Sequence, residues 1–297
     1  MDAVVHAHSP VTQSSAGAAC DTHAALPRLS PVVLPVLTRS ISLLTLLLQD
    51  SAIDLELASS VVALDPGLSF GTLQLANAKR AEAGDPVWQL PMAVVEAGRE
   101  ALLQYVQRVP RVELVEQPAR RRLLERLAAD AVVRAGIAHL LVRELGGCAP
   151  RKAFLSALLF ELPLLAYSGQ PLLCPAEALL PAMCRILPAG FVRVAMVGDC
   201  EESVTGEPLI AAVLLAEGLL RARAKARLQA EGDAAEPEQF EDLASVPLWT
   251  CWNEAGSDQR NALLHRGWQI AAWAEANLHR LDPWEFIARL ESRNLWR

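Results

Sequence analysis

From Pro118 to Gly146-Gly147 the chain holds no second proline, and its apolar residues recur at helical spacing. This segment reads as one long amphipathic helix. A proline is tolerated in the first turn, where its missing N–H has no partner to lose, and glycine ends the helix. An amphipathic helix of that length must bury its apolar face against something. Composition indicates what that is. Hydrophobic residues make up 52% of the 297 residues and aromatics only 5%, so the core is mostly Leu, Ala and Val. That mixture favours helices packed on helices, in one large domain or two ordinary ones.

The same punctuation divides the rest of the chain. In residues 36–49, Leu37, Ile41, Leu44 and Leu48 share one helical face. Asp54 can cap the next helix, LELASSVVAL. Asp65-Pro66 is a second start signal, an N-cap followed by proline at the first helical position. That helix runs on to Asn77. LPMAVVEAG is expected to end at Gly98 in a left-handed cap. A helix over 99–108 completes a five-helix unit. Pro150 opens the helix containing SALLFELPLLA. Further helices are expected near 175–185, 189–197, 207–230, 258–279 and 282–292. Residues 1–25 lack periodicity and read as a disordered tail; 230–242 reads as a loop. No strand pattern or internal repeat is found. The expected fold is all-α.

Charge and cysteine usage exclude some functions. The net charge is −7, so the chain offers no electrostatic footprint for a phosphate backbone, and no nucleic-acid partner is expected. The start, MDAVVHAHSP, has neither a positive n-region nor an apolar h-region, so no secretory signal is expected. Apolar tracts around 41–48 and 153–167 are too short, or are broken by Glu161 and Pro163, and no membrane span is expected. Six scattered cysteines without CxxC spacing suit reduced thiols in the cytoplasm.

Several features occur in a particular order: Leu34-Pro35, Asp50 one helix later, Asp65-Pro66, a Leu-x-Leu-Ala-Asn ending at Asn77, and an Ala-x-x-x-x-Gly turn from Ala93 to Gly98. In this order the stretch from Leu34 to about Val109 resembles the HDOD domain, a helical bacterial signalling module related to HD-type phosphohydrolases. Local physics makes the motif residues structural. Asp65 caps, Pro66 initiates, Gly98 permits positive φ, and Asn77 is expected to bond exposed backbone at a helix end.

The resemblance continues more weakly through 118–220, where the family carries an HD-like half. HD hydrolases set histidines and a His-Asp pair around divalent metals that polarise phosphate and acidify bound water. Here the position of Leu-Leu-His-Asp-Ile-Gly reads Leu158-Leu159-Phe160-Glu161-Leu162-Pro163. No imidazole stands at the other expected places, in LERLAADAVVRAGIA or near Gly198-Asp199. A lone carboxylate without neutral nitrogen ligands is a poor divalent-ion site. If the segment stays helical, Glu161 shares an apolar face with Ala157, Leu158, Leu164 and Leu165. It then needs a cationic partner, with Arg134 or Arg143 as candidates. Phe160 and Glu161 mark the candidate relic pocket.

Other constellations are weaker. His6, His8, Cys20 and His23 have zinc-type spacing without a packed surround. His139 reads as a packed helix histidine. The remaining cysteines lack a basic neighbourhood. RARAKAR (221–227) reads as a solvated helix end. Six of the seven tryptophans lie between residues 249 and 297. Trp249, Trp252 and Trp296 flank loops or the terminus and are the interface candidates.

The expected organisation is a tail (1–26), an HDOD-like N-terminal helical bundle (27–110), a degenerate HD-like helical region (111–230) and Trp-rich C-terminal helices (231–297). No catalytic residue, metal or cofactor is expected. The expected role is a non-catalytic signalling or regulatory protein acting on a protein partner. The alternatives are a metal-dependent phosphohydrolase of HD type, or a small-molecule (nucleotide) sensor using the relic cavity.

Overall fold

The computed structural model describes residues 32–52, 55–80, 86–146, 148–169, 176–187, 191–192, 195, 208–229, 256–259, 261–262 and 265. His6, His8, Cys20, His23, Asp54, the loop 230–242, the helix expected over 282–292, and Trp249, Trp252 and Trp296 lie outside the described residues.

Among the described residues the fold is all-α, as expected, with no strand. Five helices form the N-terminal unit: α1 Thr38–Gln49, α2 Leu55–Val62, α3 Pro66–Lys79, α4 Leu90–Ala97 and α5 Arg99–Arg108. A 3-10 turn, Val112–Leu114, leads into α6, Pro118–Leu145. Then come α7 Pro150–Leu159, α8 Leu162–Gly169, α9 Ala176–Cys184 and α10 Pro208–Gln229. Prolines open α3, α6 and α7 at the expected residues.

The expected face of α1 is buried at Leu37, Ile41, Leu44 and Leu48. α3 is central, with every residue from Pro66 to Leu73 buried. Two glycines let neighbours close on it. A Cβ at Gly67 would lie 2.6 Å from the Pro35 carbonyl oxygen, and one at Gly71 would lie 2.0 Å from the Tyr105 hydroxyl. α6 packs along α7 and α10, and α3 along α4. Buried residues from α1 through α10 form one continuous apolar core.

Partners distant in sequence cap both ends of α1. The Glu113 carboxylate accepts from the Thr38 N–H at 2.9 Å, placing negative charge at the positive end of the helix dipole. The Arg99 guanidinium donates to the carbonyls of Leu47, Leu48 and Asp50, at 3.1, 2.8 and 2.7 Å. Val36 and Val112 complete the closure. The Val36 N–H donates to Pro110 O at 2.9 Å, and the Val112 N–H to Val36 O at 3.0 Å. The segment before α1 is thereby fastened to the segment after α5.

Two local expectations change. Gly98 has the expected positive φ, 78°, but its ψ of 156° puts it in an extended region that is essentially glycine-only rather than in the left-handed helical region. SALLFELPLLA is not one helix. α7 stops at Leu159, Phe160 and Glu161 form a turn, and α8 restarts at Leu162. Pro163 has no N–H to donate to the Leu159 carbonyl, so the helix cannot run through. Leu164 consequently falls on the outside, 53% exposed, and does not share a face with Glu161.

Candidate functional site: a buried arginine among carboxylates

The turn at Phe160-Glu161 faces the middle of α6, and Arg134 fills the space between them. Arg134 is the largest fully buried side chain among the described residues. Its Nε donates to Glu217 Oε2 on α10 at 2.7 Å, and its Nη1 to the Ala157 carbonyl of α7 at 3.3 Å. Nη2 stands 2.6 Å from Glu161 Oε2. Neither of those two atoms makes a well-angled hydrogen bond, so their attraction is ionic contact rather than a directed bond. The guanidinium carbon lies 5.5 Å from the Phe160 ring centroid, and that ring meets Phe191 edge-on. Of the two arginines open to Glu161 on sequence grounds, Arg134 is the partner; Arg143 pairs with Glu144.

The cations are shared unequally among the carboxylates. Burial pushes Glu217 up, but Arg134, together with Arg221 one turn along α10 at 2.7 Å, outweighs it and holds Glu217 below the usual carboxylate range. Glu161 receives less. Burial pushes it up to about 7; Arg134 pulls it down, while Glu217 and Asp130 push it further up. Asp130, one turn before Arg134 on α6, is raised by burial against the pull of Arg126 and Arg134. Glu161 is therefore the carboxyl in the cluster that takes a proton near neutrality.

The motif residues of the N-terminal unit lie elsewhere, at helix joints. The buried Asp65 carboxylate accepts from the Leu68 N–H at 3.0 Å, the expected N-cap, and from the Leu37 N–H at 2.9 Å. It thus ties the end of Leu34-Pro35-Val36 onto the start of α3. Burial pushes Asp65 up to about 6 against the donors of Leu68, Leu37, Ser40 and Gly67. Asn77 does more than satisfy its own helix. Its Nδ2 donates to Leu73 O and to Val87 O, each at 2.9 Å, and its Oδ1 accepts from the Val87 N–H at 2.6 Å. Asp50 caps the end of α1 and accepts from the Ala52 N–H at 2.9 Å. Pro66 and Gly98 sit where expected, while Phe160 and Glu161 line the Arg134 cluster rather than joining these motif residues.

Residues 34–170 match the HDOD domain family model. That stretch of the chain is similar to the HDOD domain. A solved structure, the MmoQ response regulator from Methylococcus capsulatus str. Bath, is 21% identical; the match covers 72% of this chain and 97% of that one, with a TM-score of 0.48. No curated protein matches the chain.

Glu217 lies on α10, outside the matched residues, so the charged cluster joins the matched region to a helix beyond it. Sequence reasoning missed Glu217, though the signal existed. Like Glu161 in SALLFELPLLA, it is a lone carboxylate in an apolar run, PLIAAVLLAEGLL. Among the described residues, no group of three or more His, Cys, Asp or Glu is arranged to hold a metal ion. His139 is half-buried and bonded to the Pro150 backbone, with its pKa lowered by burial. Burial raises the Cys148 thiol, which disfavours the thiolate. Arg221, the first residue of RARAKAR, is exposed. No described helix is long and apolar enough to cross a membrane.

Proposed function

We propose that this HDOD protein is a non-catalytic regulatory component of bacterial cytoplasmic signalling, acting through contacts with a protein partner. One observation carries the non-catalytic part. At the position corresponding to the HD pair, the carboxylate of Glu161 already faces a permanent cation, the fully buried guanidinium of Arg134, 2.6 Å away. The neighbouring residue is Phe160, whose ring packs on that cation. A divalent ion here would meet like charge and no imidazole, so the donor set does not fit the metal chemistry of HD hydrolases. The HDOD match supports the signalling part, and the free thiol of Cys148 suits a reducing compartment.

The test is a phosphodiesterase assay of the full chain with bis(p-nitrophenyl) phosphate and added manganese, iron or magnesium, alongside elemental analysis. The expected result is no turnover above buffer and far less than one metal per chain. Metal-dependent turnover that disappears in Glu161→Gln would establish the hydrolase instead.

A further inference from the structure

The hydrogen bonds of Asn77 have a second effect, on the far side of the segment they hold. Residues 86–89 lead into α4 and belong to no helix or strand. Asn77 grips Val87 through both its N–H and its carbonyl, and Val87 is buried. Trp88, the next residue, forms one wall of a cleft of about 250 Å³, whose other sides come from α7 and the end of α9. Leu155 and Ile186 add apolar wall, and Lys152 and Arg185 add two positive charges. Ser156 also lines it; its side chain is 1% exposed and its hydroxyl has no hydrogen-bond partner.

Three features set this cleft apart. No carboxylate lines it, although the chain as a whole carries a net charge of −7. Among the described residues neither Lys152 nor Arg185 is ion-paired. A buried hydroxyl without a partner costs free energy unless something binds it. Ligand pockets characteristically combine apolar walls with a few convergent polar groups, over roughly 300–1,000 Å³. This one, at about 250 Å³, falls just below that range, fitting one ring system and its anionic group but not a dinucleotide.

We propose that the cleft binds a small aryl or heteroaryl anion. Its flat body packs on Trp88, Leu155 and Ile186. Its carboxylate or phosphate lies between Lys152 and Arg185 and accepts from the Ser156 hydroxyl. The site is separate from the Arg134 cluster, and Asn77 acts in it as a positioning residue through Val87.

Titration calorimetry of the full chain at low salt, with benzoate, phenyl phosphate and neutral benzyl alcohol as probes, tests this. At least one anion should bind saturably, and benzyl alcohol about ten-fold or more weaker, since charge-assisted hydrogen bonds are the strong ones. The double variant Lys152→Ala/Arg185→Ala, at a half-buried and an exposed position, should weaken the anion by about ten-fold or more while leaving the thermal melt unchanged. Ser156→Ala should weaken it by a smaller factor. The relative strength of benzoate and phenyl phosphate tells which anionic group is preferred. Absence of binding by both anions at about 5 mM, a Kd in the range of fortuitous contact, would overturn the proposal. So would equal binding of benzyl alcohol, or binding untouched in the double variant.

Discussion

Arg134→Met removes the central cation of the cluster while keeping a long side chain in the space it fills, so the loss is electrostatic more than volumetric. Two carboxylates lose their partner, Glu161 and Glu217, and the Ala157 carbonyl loses a donor. Breaking a buried pair by removing one member costs about 3–5 kcal/mol. Glu217 keeps Arg221 at 2.7 Å, which offsets part of its loss. Glu161 has no second cation at contact distance among the described residues, but it can take up a proton. Its folded value, about 7, is already raised above the ordinary 4.5. A raised value means that its contribution to stability is full below pH 4.5 and is lost as pH rises through about 7. Without Arg134 the value rises further, so the loss continues to higher pH. The penalty of Arg134→Met should therefore be about 3–5 kcal/mol at pH 8. At pH 5.5, where Glu161 is mostly protonated in both proteins, it should be smaller by roughly 1–2 kcal/mol, one pKa unit being worth about 1.4 kcal/mol. Urea unfolding followed by far-UV circular dichroism at the two pH values measures both quantities. A variant within about 0.5 kcal/mol of wild type at pH 8 would refute the account, as would a penalty that grows toward acid.

Asp65→Ala should cost more than a simple N-cap, roughly 2–4 kcal/mol, because the buried Leu37 N–H is orphaned along with the Leu68 N–H; a loss confined to about 1 kcal/mol in a urea melt would mean that the joint to Leu37 adds nothing. Gly71→Ala should cost about 1–3 kcal/mol, since its Cβ would overlap the Tyr105 hydroxyl and ring. Adding Tyr105→Leu should recover part of that loss, and strict additivity in the double-mutant cycle would show that the two sites do not compete for the same space.

Much of the helical framework was legible because helix starts and stops obey local rules. Pro66, Pro118 and Pro150 fix φ where a helix may begin, and Gly98 and Gly146 take positive φ, 78° and 84°, where one ends. The Asp65 cap on Leu68 spans three residues and could be read directly. Its bond to Leu37 spans 28 residues and could not. Several of the residues that carry the resemblance to the HDOD domain, Asp65 and Asn77 among them, sit at such joints.

What only the tertiary structure decided is which distant groups meet. The sequence offered Glu161 two arginines, Arg134 and Arg143, nine residues apart and so on opposite faces of α6. The choice depends on which face of α6 meets α7 and α10, and the same crossing brings in Glu217 across 83 residues. Asn77 looked like a residue serving its own helix end, yet two of its three hydrogen bonds go to Val87 on the incoming segment. The capping of α1 by Glu113 and Arg99 was equally invisible. Dihedral preferences act over neighbouring residues and are written into short stretches of sequence. Which charged groups share a low-dielectric interior is set by the packing of whole helix faces, and that is a property of the assembled core.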